Sequence, residues 1–281
     1  MLDLIIDALM DSVKLLPFLL ITYIAMEYIE SRIEDGTKLA LKKSGKTGPL
    51  WGAALGLLPQ CGFSAAASNL YAGRVITVGT LLAIYLSTSD EMLPILISQS
   101  VSLVLILKIL LLKLIIGMAV GFAVDFIYRK KTGDKEREVD IHHFCEHEHC
   151  SCGQGILKPA IVHTVKIFLF ILLISICLNF FVDYIGLESV ENTVLNSPVI
   201  GQIIAGLIGL IPNCGSSVAI TSFYLNGAIN FGTMMSGLLV NAGVGILVLL
   251  RVNENKKDNI RIISLLYVTG VLAGIMINLF V

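Results

Sequence analysis

The sequence predicts an all-α integral membrane protein. It is expected to hold two inverted-topology repeats of about five hydrophobic segments each, with broken or re-entrant helices. Three observations carry this. Of 281 residues, 56% are hydrophobic and only 15% charged, where soluble domains carry ~25% charged residues. The phrase GLLPQCGFS at 56–64 returns as GLIPNCGSS at 209–217. Lysines and arginines crowd loops whose counterparts in the other half are neutral.

Lipid follows from length as well as composition. A bilayer core takes ~20 apolar residues, stretches 13–29, 101–128, 165–182 and 262–281 supply them, and the whole chain has a mean hydropathy of +0.85. The first twelve residues hold Asp3, Asp7 and Asp11 and no basic residue. A signal peptide needs a cationic start, so the mature chain is expected to begin at Met1. A net charge of −1 gives no nucleic-acid footprint.

The repeat runs far beyond one phrase. At an offset of 153, residues 56–80 and 209–233 share eleven identities, among them Gly56, Pro59, Cys61, Gly62, Ser64, Tyr71 and Gly79. The same offset pairs Lys108 with Arg261, Gly117 with Gly270, Gly121 with Gly274 and Asp125 with Asn278. Shared Leu and Ile are cheap in an apolar chain, whereas Gly, Pro, Cys and Tyr in register are not. The chain therefore divides into a first repeat at 1–129, a His/Cys-rich linker at 130–162 and a second repeat at 163–281.

Loop charge sets the sense of the repeats. The loop at 30–48 carries Arg32, Lys38, Lys42, Lys43 and Lys46, and its counterpart at 183–197 carries none. The order reverses at 251–261, with Arg251, Lys256, Lys257 and Arg261, against the uncharged 98–102. Basic loops stay cytoplasmic, so the halves are expected to be inverted in a cell (plasma) membrane. The linker, opening Arg129-Lys130-Lys131, falls in the cytoplasm, and both termini fall outside it. A third segment is expected to begin near Val75 or Ala228, and the run 92–128 is long enough for two crossings.

Each phrase places a helix breaker inside an apolar stretch. Pro removes a helix hydrogen bond, and freed backbone at membrane depth survives only where protein buries it or water reaches it. Broken helices at matching places of two halves point to a transport site. Gln60, Cys61, Gly62 and Ser64, with Asn213, Cys214, Gly215 and Ser217, are thus candidate pathway residues. The plain alternative is a pair of structural kinks with inert cysteines. In STSDEMLP, Asp90 and Glu91 stand between apolar runs, where ionised groups are expensive and usually functional. The matching VNAGVGI offers Asn241 and no acid. A solvated turn is the competing reading.

The linker HHFCEHEHCSCGQG groups His142, His143, Cys145, His147, His149, Cys150 and Cys152. Imidazole with thiolate suits Zn²⁺ or a softer metal, and such clustering reads as metal handling in a reducing compartment. Its spacing fits no standard zinc finger, and a plain tether with incidental affinity is the alternative. His163 is a candidate proton relay or an ordinary helix-end histidine. ALKKSGKT at 40–47 nearly spells a phosphate-binding loop. It leads through Gly48-Pro49 straight into the membrane, without the strand such a loop needs. No ATP-driven function and no enzyme activity is expected.

With these residues in view, the chain resembles the ten-transmembrane heavy-metal exporter family, also described as manganese transporters or arsenic-efflux-like permeases. The likeness rests on LLPQCGFSAAASNLYAGRVITVGTLLA, STSDEMLPIL, the Cys/His linker running into HTVKIFLFI, and LIPNCGSSVAITSFYLNGAINFGTMMSGLLVNAGVG. It implies export of a metal or metalloid ion. The sequence reading is then a secondary-active transporter with a midplane site, coupled to protons or another ion. Asp90 supplies negative charge there or carries the coupling proton. A Mn²⁺-like cargo is favoured, with arsenite or a soft metal next. No tightly bound cofactor is expected beyond the transported ion and Zn on the linker. Expected partners are the bilayer, the ion and the coupling ion, with no nucleic acid; a homodimer stays open. The alternative is a permease for a small organic solute, regulated by metal on the linker.

Overall fold

The structure, a computed structural model, describes residues 47–58, 61–89, 92–132 and 199–280, with scattered helical positions between 13 and 24 and between 161 and 176. The described residues form helices and their connections. In chain order these are α1 (Gly48–Gly56), α2 (Cys61–Ala72), α3 (Val78–Ser87), α4 (Met92–Ser98) and α5 (Leu103–Thr132). There follow α6 (Ile200–Gly209), α7 (Cys214–Leu225), α8 (Phe231–Val240), α9 (Gly245–Val252) and α10 (Lys256–Phe280). Each helix of the first set has a counterpart in the second at or within a few residues of the 153 offset.

The correspondence reaches individual hydrogen bonds. The turn after α2 closes with Val75 N–H donating to Leu70 O at 2.8 Å, and the turn after α7 with Ala228 N–H donating to Phe223 O at 2.9 Å. Both turns use a left-handed residue at the same place, Arg74 (φ 57) and Gly227 (φ 76). Next, Thr77 Oγ1 caps α3 by accepting from Thr80 N–H at 3.1 Å. Asn230 Oδ1 caps α8 by accepting from Thr233 N–H at 2.8 Å. These caps satisfy amide donors that the first turn of a helix leaves open. They also explain why α3 and α8 start three residues later than Val75 and Ala228: the intervening residues close the turn.

Small residues set how the helices cross. A Cβ at Gly121 would stand 2.7 Å from Gly79 O, and one at Gly274 would stand 2.8 Å from Gly232 O. Backbone therefore meets backbone where α5 crosses α3 and where α10 crosses α8, the close approach that small residues permit in membranes. At the first crossing Asp125 Oδ1 accepts from Gly79 N–H at 2.9 Å, and Oδ2 accepts from Thr77 Oγ1 at 2.6 Å. The buried Asp125 of α5 thus supplements the cap of α3.

Among the described residues, four stretches are long and apolar enough to cross a bilayer: Val78–Ser98, Leu103–Lys130, Phe231–Val252 and Lys256–Phe280. Met92–Ser98 is therefore the continuation of α3 past a break, not a crossing of its own. The run 92–128 holds one full crossing where two are expected from its length. The polar stretch at 99–102, with Ser100 left-handed (φ 52), separates the two helices.

Burial sorts the four into layers. The broken pair Phe231–Val252 and Val78–Ser98 are 94% and 75% buried, against 22% for Leu103–Lys130 and 33% for Lys256–Phe280. The discontinuous helices form the interior, and α5 and α10 form the rim. On α5 the exposed Leu103, Leu107, Leu111, Ile115, Phe122 and Phe126 make an apolar outer face, as a lipid-facing helix requires. Between the inner helices Leu82, Tyr85 and Leu86 of α3 share one core with Met235, Leu238 and Leu239 of α8.

One buried group is out of keeping with this packing. Gln202 on α6 is fully buried, and neither atom of its side-chain amide has a hydrogen-bond partner. An orphaned buried polar group costs about 1–3 kcal/mol. Gln202→Met, of similar length and without polar donors, should raise the thermal unfolding midpoint in detergent. An unchanged or lower midpoint would show that the amide is satisfied.

Candidate functional site

Two interrupted helices create the polar region of the interior. Between α8 and α9 the chain leaves the helix at Asn241, and Gly243 takes a left-handed conformation (φ 53). The Asn241 side chain holds the break at both ends of its amide. Oδ1 accepts from Gly243 N–H at 2.7 Å, and Nδ2 donates to Ser216 Oγ at 3.0 Å. Ser216 Oγ in turn donates to Asn213 O at 2.7 Å. Asn213 Oδ1 accepts from Gly215 N–H at 3.3 Å, capping α7. The break is thereby tied to the LIPNCGSS phrase.

The first half solves the same problem with hydroxyls. Ser87 Oγ donates to Ala83 O and Thr88 Oγ1 to Ile84 O, at 2.7 and 2.8 Å. Ser89 Oγ crosses to Leu57 O at 2.6 Å, at the end of α1. This break is tied to the LLPQCGFS phrase. Unwound backbone at membrane depth is thus held by groups from the neighbouring phrase, as a water-poor interior demands.

The two breaks face a common cleft lined by Thr88, Ser89, Met92, Ser217, Leu238 and Asn241, too tight to hold a water molecule. Residues from both halves contribute. The lining surface is more apolar than polar, with hydroxyls from Thr88, Ser89 and Ser217, the Asn241 amide and the Met92 thioether as its donor groups. The C-terminal ends of α3 and α8 meet it, and helix C-termini carry partial negative charge that favours a cation.

Of the pathway residues expected from sequence, Ser217 and Asn241 line this cleft. Gly62 and Gly215 lie in the first turns of α2 and α7, which begin at Cys61 and Cys214. Ser64 is fully buried where α2 meets α9, and a Cβ at Gly245 would stand 2.8 Å from its Cβ. One turn along, Ser68 Oγ lies 2.7 Å from Gly245 O and 2.6 Å from Tyr85 Oη. The side chains of Cys61 and Cys214 lie outside the described residues. So do Gln60, Asp90, Glu91, His163 and the linker residues His142, His143, Cys145, His147, His149, Cys150 and Cys152. Among the described residues, no three His, Cys, Asp or Glu gather as metal ligands would.

Sequence reasoning missed Thr88, Ser89, Met92 and Leu238. It also missed Lys113 of α5, 1% exposed, whose Nζ donates to Leu238 O at 2.6 Å. The signals existed. Thr88 is the 153-offset partner of Asn241, and Lys113 is a charge inside an otherwise apolar run.

Long apolar helices, two of them broken and buried behind an apolar outer face, define a multi-pass membrane protein. The chain belongs to the family described as "Putative, 10TM heavy-metal exporter", whose model matches residues 1–194 and 176–281. No curated protein and no solved structure matches it.

The tie between Asn241 and Ser216 is testable as a pair. Asn241→Ala and Ser216→Ala should each lower stability, with a coupling of about 0.5–3 kcal/mol in the double mutant. Denaturation of the four proteins in detergent measures it. Strict additivity would show that the bond does not hold the break.

Proposed function

We propose that this chain is a secondary-active transporter that exports a metal or metalloid ion, a Mn²⁺-like divalent cation first among them. The observation that carries the reading is the cleft where two broken helices meet, in a chain of a heavy-metal exporter family. The hydroxyl and amide oxygens of Thr88, Ser89, Ser217 and Asn241 suit a hard cation better than a soft one. Asp90, in the link between α3 and α4, supplies the negative charge. Cys61 and Cys214, at the starts of α2 and α7, are the groups on which arsenite or a soft metal would rely.

The two repeats are inverted in this proposal. Helix α1 has nine residues and α2 has twelve, about 14 and 18 Å at 1.5 Å per residue, against a core of ~30 Å. Such a pair enters and returns on one face. That places Arg74 on the same face as the basic loop at 30–48, with the uncharged Gly227 on the opposite face. The sense agrees with positive charge kept inside. The linker is then cytoplasmic, both termini are extracytoplasmic, and alternating access rocks one repeat against the other. His142 to Cys152 bind Zn²⁺ or the cargo metal from the cytoplasm, and His163 stands at the entry of the second repeat as a proton relay.

Flux in proteoliposomes, with Mn²⁺, Zn²⁺ and arsenite offered in turn, tests this. Mn²⁺ should move, and Asp90→Asn should slow it at least tenfold while Cys61→Ser leaves it nearly unchanged. Arsenite flux abolished by Cys61→Ser would transfer the assignment to a soft cargo. No flux of any of the three in the wild type would end the metal reading in favour of a small organic solute.

A further inference from the structure

Basic side chains from distant parts of the chain gather at one end of the molecule, away from the cleft. Two contacts show which segments meet there. The Tyr71 hydroxyl of α2 donates to Asp258 Oδ2, near the start of α10. The Arg261 guanidinium of α10 lies over the Tyr128 ring near the end of α5, 4.5 Å from its centroid. The α2–α3 turn, the end of α5 and the start of α10 are therefore neighbours. They bring the exposed Arg74, Lys130, Lys256, Lys257 and Arg261 to one face. The other end of α5 differs. There Lys108 lies over the Phe231 ring, and the nearby connections 99–102 and 226–230 carry no charge.

The outer surface leading to the basic cluster is apolar. On α5 Phe122, Phe126 and Lys130 follow at four-residue spacing, and on α10 so do Lys256, Ile260, Ser264 and Val268. Residues four apart share a helix face, and all of these are exposed, Phe126 to 70% and Ile260 to 65%. Each lysine thus ends a lipid-facing row, about 6 Å beyond its nearest apolar side chain. That is the level at which acyl chains give way to phosphate.

The cluster carries a repulsion that an anion would relieve. Lys257 and Arg261 stand four apart on α10, and like charges at that spacing destabilise a helix. Asp258, the acid between them in sequence, is engaged by Tyr71. Stacking on Tyr128 uses the flat face of the Arg261 guanidinium. Its in-plane N–H groups are left as the fork that grips phosphate oxygens in pairs.

We infer that this corner between α5 and α10 binds the headgroup of an anionic phospholipid. Arg261 grips the phosphate, Lys256, Lys257 and Lys130 supply the surrounding positive field, and the acyl chains lie along the Phe122–Phe126 and Ile260–Val268 rows. Basic pockets between membrane helices select such headgroups. A zwitterionic lipid presents the same phosphate with an ammonium that the cluster repels. Because Lys130 belongs to the first half of the chain and Arg261 to the second, the lipid joins the halves at this face. The inference does not depend on what the cleft carries.

The test needs no transport assay. The full-length protein in neutral detergent is titrated with phosphatidylglycerol, with phosphatidylcholine, or with glycerol 3-phosphate as a headgroup without chains. Bound lipid is counted by native mass spectrometry, and the thermal unfolding midpoint is followed in parallel. Phosphatidylglycerol should bind and raise the midpoint, and the other two should do neither at the same concentration. Lys256→Gln combined with Lys257→Gln, two exposed changes, should leave the lipid-free midpoint near wild type and weaken phosphatidylglycerol binding by roughly tenfold or more. The same pair changed to Arg should bind as wild type does, and so should Lys108→Gln at the other end. Equal binding of phosphatidylcholine, or undiminished phosphatidylglycerol binding by the double Gln variant, would mean that the cluster is only a solvated basic face. Glycerol 3-phosphate binding as tightly as the lipid would make it a site for a free anion. Either result overturns the inference and leaves the transport reading standing.

Discussion

In a hydrocarbon interior every peptide N–H and C=O must find its partner within the protein, and the rest of this structure depends on how that is met at two places. Helices α3 and α8 stop in the middle of what would otherwise be single spans. At each stop a short set of polar side chains engages the backbone: Ser87 and Thr88 bond carbonyls of the last turn of α3, Ser89 bonds Leu57 O, and Asn241 holds Gly243 N–H and Ser216 Oγ. Because Ser89 and Asn241 reach across to the adjacent Gly/Pro/Cys phrase, each phrase is anchored to a break. The inner position of α3–α4 and α8–α9, with α5 and α10 as rim, follows from the same demand. A broken helix is stable in lipid only when other helices screen it.

Glycine makes that screening close. The crossings at Gly79 with Gly121 and at Gly232 with Gly274 bring the rim helices within backbone contact of the inner ones. The buried acid of the first crossing, Asp125, has become Asn278 in the second. The backbone arrangement of the two halves is therefore shared more faithfully than the side chains at their functional surfaces. Ser64 and Ser217 make the same point. They occupy equivalent positions, yet Ser64 packs against Gly245 while Ser217 faces the cleft.

Much of this was legible in the sequence. The repeat could be read because Gly, Pro, Cys and Tyr recur in register, and each such residue constrains the backbone in its own way. Pro and Gly mark the junctions of α1 with α2 and of α6 with α7, whereas the breaks after α3 and α8 were not read as broken helices; Asn241 and Ser217 follow from pairing the halves. What stayed hidden has physical causes. The start of α3 depends on a closing hydrogen bond from Val75 to Leu70 that no periodicity announces. The run 92–128 is mostly apolar, so its length suggests two crossings, whereas an uncharged polar stretch at 99–102 splits off a seven-residue helix. Lys113 was overlooked because composition shows that a charge is present in a span without showing which way it points. Its inward face is a property of how α5 packs. The metal-type residues of the linker, and Asp90 with Glu91, were the most conspicuous chemistry in the sequence. They lie outside the described residues.

The tightness of the cleft has an electrical side. A membrane potential drops where water and mobile ions are absent, and little of it is lost across wet vestibules. On the proposed ion path, the stretch where Thr88, Ser89, Ser217 and Asn241 close without room for water is where the potential would fall. A full elementary charge carried across it exchanges about 2.3 kcal/mol per 100 mV with the membrane. The same few residues that hold two helix ends together would then also fix how strongly the protein responds to voltage.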